Sequence, residues 1–472
     1  MTIGELQTIL SDCGQQHVLR FYDDLSEASR EKLLSQLSSV DWARLPELVE
    51  AYVKAEPRVE LPASLQPAPS LPAQPENEER RELYAAAARH GRELLSQGKV
   101  AGFTVAGGQG TRLGYPGPKG TFPISPIRRK PLFQWFAESI ARACEKYDSE
   151  IPWYIMTSPM NDSETREFFR KHAYFGLSEG QVFFLTQGTM PAIGLDGRLL
   201  LAAPDSLALS PDGHGGSLLA MRQSGALADM ARRGIEYISY WQVDNPLVCV
   251  LDPLFLGLHS RLQAEMSCRG LVKTGPFEKL GNFCLIDDKM AIVEYSDMPE
   301  ELAQATRPNG DLRFRVGSPA IHILDRPFVE RLTAEGRLRL PFHRAVKKVP
   351  FVNANGDLVE PEEPNAVKLE TFIFDALPLA ANVLILEAAR GEQFGPVKNP
   401  KGVDSVDSCR RLLVERAANW LEAAGVKVPR QADGSPDCTV ELSPRTYLDP
   451  EDVRQQAAQL APPKPGSREY YE

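Results

Sequence analysis

The chain has 472 residues, room for two or three domains at roughly 150 residues each, and its 43% hydrophobic and 25% charged residues are those of a globular protein. Its formal net charge of -10 speaks against a nucleic-acid partner, which demands a basic face, yet allows a local basic pocket for a small phosphorylated ligand. No run approaches the ~18 apolar residues of a membrane span, no basic and apolar leader opens the chain, and seven scattered cysteines lack any CxxC pair, so a reducing, cytoplasmic setting is expected.

Residues 1–56 read as a helical segment: Leu6, Ile9 and Leu10 recur at helical spacing, as do Leu33, Leu34 and Leu37, with Ser26 as an N-cap. Residues 57–78 hold Pro57, Pro62, Pro67, Pro69, Pro72 and Pro75, which exclude a helix or central strand and predict an extended surface connector. From about residue 79 strands and helices alternate. A helix precedes the apolar run Val100–Ala106, the amphipathic helix Leu132–Tyr147 follows, then strands at Trp153–Thr157, Val182–Thr186 and Tyr237–Val243. Later strand-like segments (Gly270–Thr274, Ala291–Tyr295, Leu312–Val316, Thr371–Phe374) lie closer together and predict an antiparallel extension. This gives an α/β fold: a large domain over 79–390 and a smaller mixed C-terminal domain over 391–472.

The run Val100–Ala106 meets Gly107-Gly108-Gln109-Gly110-Thr111-Arg112-Leu113-Gly114, followed by Tyr115-Pro116-Gly117-Pro118-Lys119-Gly120. Glycines leave backbone N–H groups bare for a phosphate, and Arg112 and Lys119 add fixed positive charge. The dinucleotide fingerprint GxGxxG would need glycine at Leu113, and the Walker loop fails because Gly120 follows Lys119. A nicotinamide oxidoreductase or P-loop ATPase is therefore disfavoured.

This loop with Pro118-Lys119-Gly120 resembles the signature of the eukaryotic-type UDP-sugar pyrophosphorylases, and the chain is most similar to their UDP-N-acetylglucosamine branch. Further matches follow in family order: Arg129–Gln134, Phe184–Gly188, Pro211–Gly216, Val243-Asp244-Asn245, Val293–Ser296, Lys368–Asp375 and Phe394–Asn399. The resemblance implies a Rossmann-like, GT-A-like nucleotidyltransferase fold with a mixed sheet and flanking helices. It implies that a sugar 1-phosphate attacks the α-phosphorus of UTP and releases pyrophosphate. The attacking oxygen is already anionic, so the chemistry asks for cations, backbone donors and a metal rather than a side-chain nucleophile.

By resemblance, Gly107, Gly108, Gly110 and Thr111 hold the nucleotide, and Arg112, Lys119 and Lys398 contact its phosphates. Asp244 would ligate Mg²⁺, a hard cation that takes oxygen ligands. Gln187 and Gly213 match uracil-reading positions. His214, Gly281, Glu294, Ser318, Phe372 and Phe374 match the sugar pocket. The alternating spacing of Phe372 and Phe374 would place both on one face of a strand, where a core role is equally open. The departures also fall in that pocket. His214 stands where the acetylglucosamine branch has Asn; Gly216 stands where the glucose branches, which share the His, have an acid; and Gly317-Ser318-Pro319 replaces Gly-Asn-Ile. N-acetylglucosamine 1-phosphate is the favoured substrate, with glucose 1-phosphate or a broad sugar range as the alternative, and a catalytically silent nucleotide-sugar binder as the reading from another class. A monomer is compatible with the sequence.

Overall fold

The computed structural model describes residues 3–55, 61–62 and 64–472; Pro57, assigned to the linker, lies outside them. The chain folds into two compact units, each built from separated segments. The first comprises Met1–Pro62, Gln187–Ser217 and Arg339–Asp375, the second Ala63–Thr186, Leu218–Leu338 and Ala376–Glu472. This interleaved division differs from the linear one expected at 56, 78 and 390.

In the first unit, α1 (Ile3–Asp12) and α2 (Glu27–Ser38) bury Leu6, Leu10, Leu33 and Leu37. Ser26 caps α2 by accepting from the Ser29 amide. These leucines share one apolar core with Ile193, Leu199, Leu207, Val367 and Leu369. The strands beneath are His343–Lys347, Ala366–Glu370 and Ile193–Gly194, all antiparallel. Helices that could not bury a face alone are thus completed by residues about 190 and 370 positions along.

The second unit is built on an eleven-stranded mixed sheet: β1 (Gln66–Pro67), β2 (Val100–Val105), β3 (Trp153–Thr157), β4 (Val182–Thr186), β5 (Tyr237–Gln242), β6 (Met266–Val272), β7 (Gly281–Ile286), β8 (Lys289–Val293), β9 (Val316–Ser318), β10 (His322–Asp325) and β11 (Val383–Ala388). The order is β1-β7-β9-β6-β10-β5-β2-β3-β4, with β8 beside β7 and β11 beside β6. β5, β2, β3 and β4 are mutually parallel. The side chains of β2 and β3 are buried on both faces, as their continuous apolar runs predict. The antiparallel extension begins at β10. Around the sheet lie α3 (Glu78–Ser96), α4 (Leu132–Tyr147), α5 (Pro253–Arg261) and α6 (Val406–Ala423).

Three expectations need correction. The described part of the proline-rich stretch is no plain surface connector: Gln66 and Pro67 pair with Leu285 and Cys284, and the Leu71 amide donates to the Ile385 carbonyl at 2.8 Å. Proline is tolerated there because the strand is an edge. The strand expected at Leu312–Val316 begins only at Val316. No strand forms at Thr371–Phe374: the ladder ends at Glu370, and a 3₁₀ helix spans Ile373–Leu379.

Candidate active site

In the second unit, β2 and β5 are parallel neighbours with Val105 opposite Gln242. The glycine loop and Asp244 therefore leave the sheet at the same carboxyl end, where open α/β sheets bind ligands. Lys119 Nζ lies 3.4 Å from Asp244 Oδ2, and these side chains are only 16% and 17% exposed. Two residues 125 positions apart are thus joined by strand order. The loop is pinned to itself: the Lys119 amide donates to the Gly108 carbonyl at 3.0 Å and the Gly110 amide to the Gly117 carbonyl at 2.9 Å. The amides of Gly107, Gly108 and Thr111 have no protein acceptor among the described residues. A Cβ on Gly108 would meet only the Lys119 side chain, at 4.0 Å, so one face of the loop stays open to a phosphate.

Lys398 is brought to this end through the backbone. The Val397 amide donates to the Asp244 carbonyl at 2.8 Å, and the Asn245 side chain bonds the Gln393 carbonyl (2.8 Å) and the Gly395 amide (2.9 Å). Lys398 itself sits 3.7 Å from Asp404 and over the Phe394 ring. Arg112 is exposed on a 3₁₀ turn, Thr111–Leu113. Sequence reasoning missed Asn161, fully buried, whose Nδ2 donates to the Ala106 carbonyl at 3.0 Å and the Gly108 carbonyl at 3.3 Å. It also gave no role to Asn245, although the motif Val243-Asp244-Asn245 contained the clue.

No group of three or more His, Cys, Asp or Glu able to hold a metal occurs among the described residues. Asp244 stands as a single carboxylate beside open amides. That donor set fits Mg²⁺, which keeps several waters and takes one or two carboxylates together with substrate phosphates.

Also in the second unit, Gly281 and Ser318 are directly opposed on β7 and β9. A Cβ on Gly281 would lie 2.9 Å from Glu294 Oε1, so these three of the six candidate sugar positions converge. Beside them is a lysine that sequence reasoning passed over: Lys273 is 7% exposed and donates to Asn282 Oδ1 at 2.6 Å, and burial pushes its ammonium pKa down.

In the first unit, the Gln187 amide donates to the Gly213 carbonyl at 2.7 Å, which joins the two candidate uracil residues and fixes the amide's orientation. Gly213 has φ of 85°, and a Cβ there would strike the Thr371 carbonyl, so no other residue fits. The Asp212 carboxyl is wedged against Gly188 and Gly216; a Cβ on Gly216 would come 2.2 Å from it. A side chain at position 216, such as the acid of the glucose branches, would require the Asp212 carboxyl to move. Burial pushes the Asp212 pKa up to about 6, and the Gln187 amide offsets this only in part.

His214 stacks on Phe372 at 5.1 Å between centroids and meets Phe374 at 5.8 Å. Phe372 stacks in turn on His343, at 4.2 Å, and His343 bonds Asp375 at 2.8 Å. The two phenylalanines meet although they share no strand: the Thr371 amide bonds the Asp212 carbonyl and the Gly215 amide the Thr371 carbonyl, which diverts the chain from its ladder. Burial, with a smaller push from His343, lowers the His214 pKa to about 4. The ring is neutral at physiological pH, and its Nδ1 accepts from the Ile373 amide at 3.2 Å, so the proton is on Nε2.

A family model described as UTP–glucose-1-phosphate uridylyltransferase matches residues 65–462, a span that holds every candidate position above. The chain belongs to this family. The human UDP-N-acetylhexosamine pyrophosphorylase-like protein 1 is 35% identical over 93% of this chain and 92% of its own. The UDP-N-acetylglucosamine pyrophosphorylase of Saccharomyces cerevisiae is 33% identical over 90% and 92%. Among solved structures, the UDP-N-acetylglucosamine pyrophosphorylase of Trypanosoma brucei superposes with a TM-score of 0.80 at 26% identity, covering 98% of this chain and 97% of that one. Each of these three relatives covers nine-tenths or more of this chain.

Proposed function

We propose that the protein transfers a uridylyl group from UTP to a sugar 1-phosphate, N-acetylglucosamine 1-phosphate ahead of glucose 1-phosphate, and releases pyrophosphate. The observation that carries this reading is the Lys119–Asp244 pair beside unbonded loop amides at the end of β2 and β5, in a chain of the uridylyltransferase family. A phosphate oxygen of the sugar phosphate forms the new bond to the α-phosphorus of UTP, and the bond from that phosphorus to the bridging oxygen of pyrophosphate breaks. The loop amides and Arg112 hold the triphosphate. Lys119 and Lys398 balance charge as it moves onto pyrophosphate. Asp244 would hold Mg²⁺, which when bound neutralises phosphate charge and aligns the oxygens.

Gln187 and Gly213 read the uracil edge. Gly281, Glu294 and Ser318 face the sugar hydroxyls, and the neutral His214, set by Phe372 and Phe374, stands where the acetylglucosamine branch has an amide. His214 is the specific feature that favours a wider sugar range. The four parallel strands with their helices support the Rossmann-like, GT-A-like reading. The seven cysteines, all free thiols, support a cytoplasmic setting; no described helix is long and apolar enough to cross a membrane. The test is pyrophosphate release from UTP, Mg²⁺ and a panel of hexose 1-phosphates. Release should be fastest with N-acetylglucosamine 1-phosphate; no release with any sugar would overturn the proposal and favour a silent binder.

A further inference from the structure

In the second unit a cavity of about 240 Å³ lies between the proline-rich stretch and the sheet. It is lined by Pro67, Ser70 and Phe283, and by three arginines, Arg307, Arg313 and Arg315. None of them belongs to the groups assigned above to nucleotide, metal or sugar.

Among the described residues the charges at this place do not cancel. Arg315 pairs with Glu387, whose carboxylate also accepts from Ser70 Oγ at 2.7 Å. Arg313 donates to the Leu65 carbonyl at 3.3 Å and covers the Phe314 ring, so it has no carboxylate. The Arg307 side chain makes no hydrogen bond or ion pair among the described residues. The nearest acid in its own turn, Asp311, accepts from Asn309 at 2.8 Å. Among the described residues these three guanidinium groups thus have one carboxylate between them, around a small, partly open volume. Arginine forks match phosphate oxygens geometrically and keep their charge at any working pH.

We propose that this cavity is an anion site for the phosphoryl group of a small molecule, with Arg307 and Arg313 as its main ligands and the proline-rich stretch as its wall. The stretch is held by the same neighbourhood, through Leu65 to Arg313, Ser70 to Glu387 and Leu71 to β11. An occupant therefore bridges the wall to the sheet. The cavity touches β7 at Phe283 and β9 at Val316, each two residues along its strand from Gly281 and Ser318.

The test is amide hydrogen exchange on the full chain in inorganic phosphate, in glycerol 3-phosphate and in chloride at equal ionic strength. Either phosphate should slow exchange several-fold over residues 64–71 and 305–316; comparing the two shows whether the free ion or the monoester is preferred. The protection should vanish in Arg307→Gln/Arg313→Gln. If that pair fails to fold, Arg307→Gln alone, at an exposed side chain without a partner among the described residues, should reduce it. Equal exchange in phosphate and chloride, protection confined to residues 107–120, or protection that survives these substitutions would each overturn the site.

Discussion

Asp212 and His214 stand two positions apart, and burial acts on them in opposite directions. The folded chain holds the Asp212 proton up to about pH 6, against an ordinary 3.8. That stabilising contribution is complete below 3.8 and is lost as pH rises through 6. His214, lowered from 6.5 to about 4, contributes fully above 6.5 and loses its contribution as pH falls through 4. Asp212→Asn cannot ionise, so its thermal midpoint should climb relative to the parent between pH 4 and 6 and keep the gain above. Parallel midpoint curves would show that the carboxyl titrates normally. His214→Asn should shift the ratio of kcat/KM for N-acetylglucosamine and glucose 1-phosphates on the order of tenfold, the scale of one hydrogen bond. An unchanged ratio would move sugar selection elsewhere. Asp244→Asn should lower kcat by about 10²–10³ while far-UV circular dichroism stays unchanged; near-normal turnover would remove its role. At this scale Lys119 was picked out by its place in the glycine-rich loop, and Asp244 and Gly213 by the family resemblance of the motifs around them. Asn161 was not, because a buried amide that accepts from Ser158 and donates to Ala106 looks in sequence like any loop asparagine.

Among the elements, helix α4 and the strands β3 and β4 have the bounds their pattern predicts, because α4 buries one continuous apolar face and β3 pairs with β2 and, over its whole length, with β4. Short late strands slid by two to four residues, since their ends are set by partners such as Val272 opposite Val316 rather than by local pattern. Phe372 and Phe374 alternate like strand residues, but the Asp212 carbonyl captures the Thr371 amide, and a tertiary hydrogen bond overrides the spacing. The contact of α3 with α5 was equally invisible. A Cβ on Gly257 would lie 1.7 Å from the Ala87 carbonyl, so these helices touch backbone to backbone. Gly257→Ala should cost about 1–3 kcal/mol or more, measured by chemical denaturation; a neutral result would mean that the helices can separate freely.

For the whole molecule, neither unit is continuous in sequence. Gln187 opens one segment of the first unit, His214 lies near that segment's end, and Phe372 and Phe374 close another. A linear reading cannot foresee such interleaving, because pairing of the N-terminal helices with residues 193–207 depends on contacts across more than 150 positions. The boundary expected at 390 is likewise no seam: Val397, Cys409 and Leu413 belong to the main core of the second unit. A chain ending at residue 390 should therefore show no cooperative thermal transition, and a sharp melt close to that of the full chain would disprove this.

The two bonds made by the Asn245 side chain have a consequence for anyone recombining this protein with its relatives. Because one amide reads both the Gln393 carbonyl and the Gly395 amide, residues 244–246 and 393–398 behave as a single inherited cassette. Libraries that vary the two stretches independently should yield mostly inactive members. Swapping both from the same parent should preserve turnover, however distant that parent's intervening sequence.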